Sequence, residues 1–250
     1  MSYENFAEVY DSLQADVDYV GRARYLIKLF KRYDRQPTLL LDVACGTGGF
    51  SLQFAKNGID VIGADPSPEM LGKARQKLVK EGIEALLLCQ SAEELDLYGT
   101  VDGAICCLDS LNHIIDSDEL KRSIKRIALF LEPERLFIFD VNTEYKHNKV
   151  LSGKTYTAET DNCFCVWRNS ECDSDGIVDI SLDFFIENED GSYNRSFEDF
   201  SERAYSKDYL KECIKAAGLE TVAVLGDMSF SNPTDTKERI IFVTRRIKNG

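Results

Sequence analysis

The stretch Leu39-Leu40-Leu41-Asp42-Val43-Ala44-Cys45-Gly46-Thr47-Gly48-Gly49-Phe50 decides how this chain reads. Three leucines, a carboxylate and a valine form a short apolar run of the kind a buried strand requires. It passes directly into A-C-G-T-G-G and then into a helical pattern. Glycines at such a turn let the backbone reverse tightly and approach a ligand closely. The first turn of the helix adds N–H groups that the helix itself leaves unpaired. A second apolar run, Val61-Ile62-Gly63-Ala64-Asp65, also ends on a carboxylate, 23 residues after Asp42. That separation is about one β–α–β unit, and a carboxylate so placed can accept hydrogen bonds from both hydroxyls of a ribose.

The same alternation extends outward. Val20, Ala23, Ile27 and Phe30 recur at helical spacing between Asp18 and Tyr33, and Pro37 separates that helix from the strand at 38–43. Helices are expected over 48–57, 68–81 and 117–131, and strands over 59–64, 85–89, 101–108 and 135–141. Short apolar strands alternating with amphipathic helices imply a parallel sheet covered on both faces. The pattern changes after Tyr145. Residues 155–168, 177–187 and 193–204 read as three strands of an antiparallel meander, with Asp175-Gly176 and Asp190-Gly191 at its turns. Val178, Ile180, Leu182, Phe184 and Ile186 share one face of the middle strand; Asp179, Ser181 and Asp183 share the other. A helix at 206–217 and strands at 219–225 and 239–244 close the chain. The expected fold class is α/β, a mostly parallel sheet of about seven strands with helices on both faces. Residues 1–150 and 205–250 make the main domain, and the β-meander 151–204 is an insertion suited to cover a substrate.

Composition restricts the partners. The net charge is −13, from 43 acidic and 30 basic residues. Such a surface repels phosphate backbones, which argues against nucleic acid as a partner. No apolar run approaches the roughly 20 residues of a membrane span, and MSYENFAEVYD lacks a signal-peptide pattern, so a cytoplasmic monomer or homodimer is expected. The eight cysteines follow no metal or disulfide framework, and only two histidines could complete a zinc site, so no metal is expected. Most cysteines sit in apolar stretches, where a thiol acts as a small buried hydrophobe.

Taken together, strand, acidic end, A-C-G-T-G, helix, strand and second acidic end resemble the class I S-adenosylmethionine-dependent methyltransferases, whose fold is Rossmann-like. The resemblance spans nearly the whole chain. It implies that the loop residues Asp42, Ala44, Gly46 and Gly48 hold the methionine part of S-adenosyl-L-methionine. It gives the ribose to Asp65 and the adenine to Ser91, Ala92 and Glu93, with Pro66 and Met70 packing on the ring. Two departures stand out: Ala44 occupies the usual first glycine of the loop, and Glu132-Pro133-Glu134-Arg135 replaces a turn that often carries paired glycines. A narrower resemblance, on Leu108-Asp109-Ser110-Leu111-Asn112, is to a bacterial subgroup of unassigned substrate. It implies that Leu108 and Asp109 lie beside the transferable methyl, and that N-terminal tyrosines (Tyr3, Tyr10, Tyr19) close over the cofactor.

Methyl transfer from a sulfonium is an in-line displacement in which the protein aligns the reactants and excludes water. Candidates to face a small-molecule acceptor are Asp109, His113, Asn142 and Tyr145, each at or just past the C-terminal end of a strand. Blander readings stand beside them. Asp109 could cap a turn, His113 could pack, Tyr10 and Tyr19 could anchor the first helix, and Trp167 and Phe164 read as core. Arg203 could bind an acidic group or pair with a carboxylate. Two other functions compete. A nicotinamide-dependent oxidoreductase needs G-x-G-x-x-G/A, but Ser51 holds the third position and Asp42 would lie near pyrophosphate. A non-catalytic cofactor-binding module would not need the polar residues after the fourth and fifth strands.

Overall fold

The computed structural model describes residues 17–160 and 162–248. Helix α1 (Tyr19–Tyr33) leads into β1 (Leu39–Val43), α2 (Gly49–Lys56), β2 (Asp60–Asp65), α3 (Pro68–Lys80), β3 (Leu86–Cys89) and β4 (Gly103–Cys106). A 3₁₀ turn (Ser110–His113), α4 (Ser117–Phe130), β5 (Leu136–Asn142) and a π-helical turn (Lys146–Leu151) follow. The chain then forms β6 (Thr155–Glu159), β7 (Cys163–Asn169), β8 (Ile177–Glu187) and β9 (Tyr193–Arg203), and ends in α5 (Lys207–Ala216), β10 (Leu219–Gly226) and β11 (Arg239–Arg246). Side chains that withdraw from helix interiors open the helices: Asp18 accepts from Gly21 N–H, Ser67 from Met70 N–H, Asp116 from Asp118 and Glu119, and Ser206 from Tyr209.

Seven strands form one sheet in the order β10-β11-β5-β4-β1-β2-β3. β1 to β5 are parallel, while β11 runs antiparallel to both β5 and β10. Strand alternation sorts the core into two layers. Leu41, Val43, Phe137 and Phe139 face α4 and α5 through Leu120, Ile124, Leu210 and Ile214. Leu40, Ile105, Ile138 and Ile241 face α1 and α2 through Leu29, Phe30 and Phe54. The turn before β5 forms without glycine: Glu134 takes the left-handed conformation (φ 66°), and its N–H donates to Arg246 O at 2.9 Å.

The meander is a separate sheet of four strands, β6-β7-β8-β9, not three. The expected strand 155–168 is broken by a tight turn, in which Thr160 N–H donates to Cys163 O (2.8 Å) and Cys163 N–H to Thr160 Oγ1 (3.1 Å). No glycine marks it. One face of this sheet buries Cys163, Cys165, Val178, Ile180 and Phe184. One expectation is corrected on the other face. Phe164 alternates with the buried cysteines and is exposed rather than core. Asp183 is shielded from water because Arg168 and Arg195 both close over its carboxylate. Arg195 and Arg168 hold that carboxyl below its ordinary range.

Phe242 is fully buried and stacks on Phe139 with ring centroids 5.0 Å apart. Phe242→Ala is expected to lower the unfolding free energy by about 3–5 kcal/mol in urea denaturation. Phe197→Ala, at a side chain 67% exposed, should change it by less than about 0.5 kcal/mol.

Candidate active site

Strand order reverses between β1 and β4, and an open α/β sheet leaves a crevice beyond the strand ends at such a point. A cleft of about 650 Å³ opens there, lined by Ala44, Gly46, Asp65, Pro66, Met70, Ser91, Ala92 and His113. The loop after β1 turns through three left-handed residues, Ala44 (φ 55°), Gly46 (φ 53°) and Gly48 (φ 74°). Ala44 therefore adopts the conformation for which a glycine would be the unstrained choice. A Cβ at Gly46 would meet nothing within 4 Å, so the space before the loop is open. At Gly48 it would lie 3.0 Å from the Cβ of Ala74, so this glycine seats the loop against α3.

Asp65 joins the two loops. Its Oδ2 accepts from Gly46 N–H at 2.8 Å and its Oδ1 from Ser67 N–H at 2.9 Å. A carboxylate has about four acceptor sites, so two remain. Burial pushes its carboxyl above the ordinary value, opposed by these two N–H groups. Asp42 lies beneath the loop rather than on the cleft wall, and accepts from Ser51 Oγ at 2.6 Å. Burial pushes Asp42 up to about 7, against the pull of the Ser51 hydroxyl.

Other sequence candidates fall elsewhere. The carboxylate of Glu93 turns to Arg122 Nε and Nη2 (3.1 and 2.9 Å), away from the cleft. Tyr19 packs edge-on against Phe50 and over Gly49, at the start of α2. Tyr3 and Tyr10 lie outside the described residues. The guanidinium of Arg203 donates to the carbonyls of Asp175 and Ile115, both at 3.0 Å.

Asp109, Asn142 and His113 belong to one polar cluster beside the cleft. Leu108 and Asp109 are consecutive left-handed residues (φ 56° and 54°), and both their N–H groups donate to the carboxylate of Asp140, at 2.9 and 2.8 Å. Arg239 bridges Asp140 (3.0 Å) and Asp109 (2.8 Å). Burial raises Asp140. For Asp109 burial acts in the same direction, but the charges of Arg239 and Lys146 prevail and hold it below its ordinary value. The side-chain amide of Asn142 donates to Asp109 and, at 3.1 Å, to Glu202 Oε2; its oxygen accepts from Lys146 Nζ at 3.0 Å. His113 lies with Nε2 3.7 Å from Glu202 Oε1, its ring against Phe200. His147, fully buried, approaches Glu202 Oε2 at 3.5 Å. Tyr145 precedes the π-helical turn and is half-buried.

Asp140, Arg239, Glu202 and His147 were not singled out from the sequence. Asp140 alone carried a signal, as a charge inside the apolar run Leu136–Val141.

The methyltransferase domain family model matches residues 40–134. The Putative methyltransferase GWCH70_2453 of Geobacillus sp. (strain WCH70) is 30% identical over 247 residues, covering 98% of this chain and 100% of that protein. The chain belongs to this methyltransferase family. An S-adenosylmethionine-dependent methyltransferase from Clostridium acetobutylicum ATCC 824, known from its crystal structure, is 31% identical with a TM-score of 0.89, covering 99% of this chain and 100% of its own. The sugar N-methyltransferase KedS8 from Streptoalloteichus sp ATCC 53650 shares the fold at 19% identity and a TM-score of 0.80, with 99% and 94% covered. The cofactor of this methyltransferase is S-adenosylmethionine. Its cleft suits that group, with open space before Gly46, spare acceptor capacity on Asp65 and apolar Pro66 and Met70 alongside.

The elevated Asp42 makes the stability of the methyltransferase pH-dependent. The folded chain keeps this proton up to about pH 7, whereas an unfolded aspartate loses it near 4. Folding is therefore favoured below that window, and the contribution is lost as pH rises through it. Asp42→Asn removes the titration. Urea unfolding should show the variant gaining on the wild type by about 1.4 kcal/mol per pH unit from pH 5 to 7, with no further gain above.

Proposed function

We propose that this chain transfers the methyl group of S-adenosylmethionine to a small-molecule acceptor that enters between the main sheet and β9. The observation that carries this reading is the single cleft in which Gly46, Asp65, Ser91 and His113 meet. Asp65 takes the ribose hydroxyls with its two spare acceptor sites. Pro66 and Met70 lie against the adenine, with Ser91 and Ala92 along its edge, while Ala44 and Gly46 border the methionine portion. Asp42 and Gly48 act indirectly, the one ordering the loop through Ser51 and the other seating it on α3.

The cofactor supplies a methyl already activated by the sulfonium. What falls to the protein is alignment, exclusion of water and disposal of the acceptor's proton. The end of β4 presents Ser110, Leu111 and His113 to the cleft, with the Asp109–Asn142–Arg239 network fixing that turn from behind. Asp109 and Asn142 therefore position the acceptor wall. A cleft of about 650 Å³ suits a metabolite beside the cofactor. Some basic residues near the two ends of the sequence are paired internally: Arg22 with Asp227, Arg35 with Asp102, Arg245 with Glu220 and Arg246 with the carbonyl of Leu129. The net charge of −13 weighs against nucleic acid. Ser51, bonded to Asp42 where a dinucleotide loop would need glycine or alanine, weighs against the oxidoreductase reading.

Isothermal titration tests the reading directly. S-adenosylmethionine and S-adenosylhomocysteine should bind with micromolar affinity and NADH should not. Asp65→Asn, which keeps one acceptor oxygen for Gly46, should weaken S-adenosylhomocysteine by roughly 10- to 100-fold through lost charge-assisted hydrogen bonds. Unchanged affinity in that variant would remove the ribose from Asp65.

A further inference from the structure

Glu202, on β9, is an under-satisfied charge near the cleft. Its side chain is 8% exposed, yet among the described residues it accepts one hydrogen bond, from Asn142 to Oε2 at 3.1 Å. The protein has only two histidines, and both flank this carboxylate. His147 Nδ1 lies 3.1 Å from Gly176 O, which can only accept, so Nδ1 carries a hydrogen. Its Nε2, 3.5 Å from Glu202 Oε2, makes no hydrogen bond to it. The neighbouring cations are committed, Arg239 to Asp109 and Asp140 and Lys146 to Asn142 Oδ1. Three carboxylates (Asp109, Asp140, Glu202) thus share two fixed positive charges, and neither cation is bonded to Glu202. Oε1, free of hydrogen bonds, points to His113 Nε2 at 3.7 Å, and the His113 side chain is 47% exposed on the cleft wall.

A buried carboxylate with an idle oxygen is costly unless a cation or donor reaches it. An acceptor that is itself an anion would add to that cost, and a neutral hydroxyl would leave the charge standing. We propose that the methyl acceptor is an amine, received as its ammonium between Glu202 Oε1 and the imidazole of His113. The inference rests on the methyltransferase reading above. His113 Nε2 takes one ammonium proton, and Glu202 becomes the counter-ion of the imidazolium so formed. The freed nitrogen lone pair makes the new N–C bond as the C–S bond breaks, leaving that electron pair on sulfur as a thioether. The product departs as a methylated ammonium, and the His113 proton passes to solvent. Phe200, tilted against His113 with ring centroids 5.1 Å apart, limits the positions the imidazole can take.

With two histidines, ring signals of the histidine-labelled full chain can be followed by NMR, and His113→Gln assigns them. Saturation with S-adenosylhomocysteine is first checked by calorimetry; failure there counts against the cofactor reading, and the titrations then run on the ligand-free chain. Ethylammonium chloride, ethanol and sodium acetate are titrated at matched ionic strength. Ethylammonium should shift the His113 ring with half-saturation at about millimolar, near the limit for so small a probe. Ethanol and acetate should not shift it, and Glu202→Gln should raise the half-saturation at least about tenfold. An unmoved ring, an equal response to ethanol or acetate, or an unchanged response in folded Glu202→Gln would each overturn the proposal. If that variant does not fold, the three probes on the wild type decide alone.

Discussion

Asp140 is the constraint on which the site depends. A carboxylate inside an apolar strand is tolerable only if donors reach it, and here two elements supply three. The turn after β4 gives two backbone N–H groups, and β11 gives the guanidinium of Arg239. The result fixes the ends of β4, β5 and β11 relative to one another without any side chain entering the cleft. It also holds Leu108 and Asp109 in the left-handed region. Each such residue costs about 1–2 kcal/mol when it carries a Cβ, so the turn exists because Asp140 over-determines it. Replacing the carboxylate would release that strain and the orientation of the 3₁₀ turn bearing His113 together.

The meeting of the Gly46 and Asp65 loops at one cleft was legible in the sequence because it is local. The strand ending at Asp42, the glycine turn and the strand ending at Asp65 are consecutive, and their spacing alone places them at neighbouring strand ends. Glu93 shows the limit of such reasoning: a nearby arginine on α4 draws its carboxylate away, and no local pattern records that competition. The polar cluster beside the cleft is assembled from β4, β5, β9 and β11, with partners such as Asp109 and Arg239 separated by 130 residues. Single-sequence periodicity says nothing about which polar residues converge over such distances.

The small sheet was read less well than the main one for a related reason. Its turn at 160–163 uses a threonine hydroxyl rather than glycine, so two strands looked like one. Alternation also put Asp183 on the face opposite the apolar stripe, and that is correct. What alternation cannot register is that Arg168 and Arg195, from the strands on either side, close over it.

The four-stranded sheet is joined to the body mainly at one end. Asn112 donates to Arg203 O, Arg203 to Ile115 O, Tyr205 to Ile114 O and His147 to Gly176 O, all near the close of β9 or the start of β8. The turn between β8 and β9 lies a full eleven-residue strand away. Mechanically this is a cantilever. Phe200 and Glu202 sit at the clamped root, where displacement is least, while Tyr193 and Phe197 ride toward the tip. Substitutions and length changes around residues 188–192 are thus absorbed as deflection of the beam, and the root keeps its alignment with the cleft.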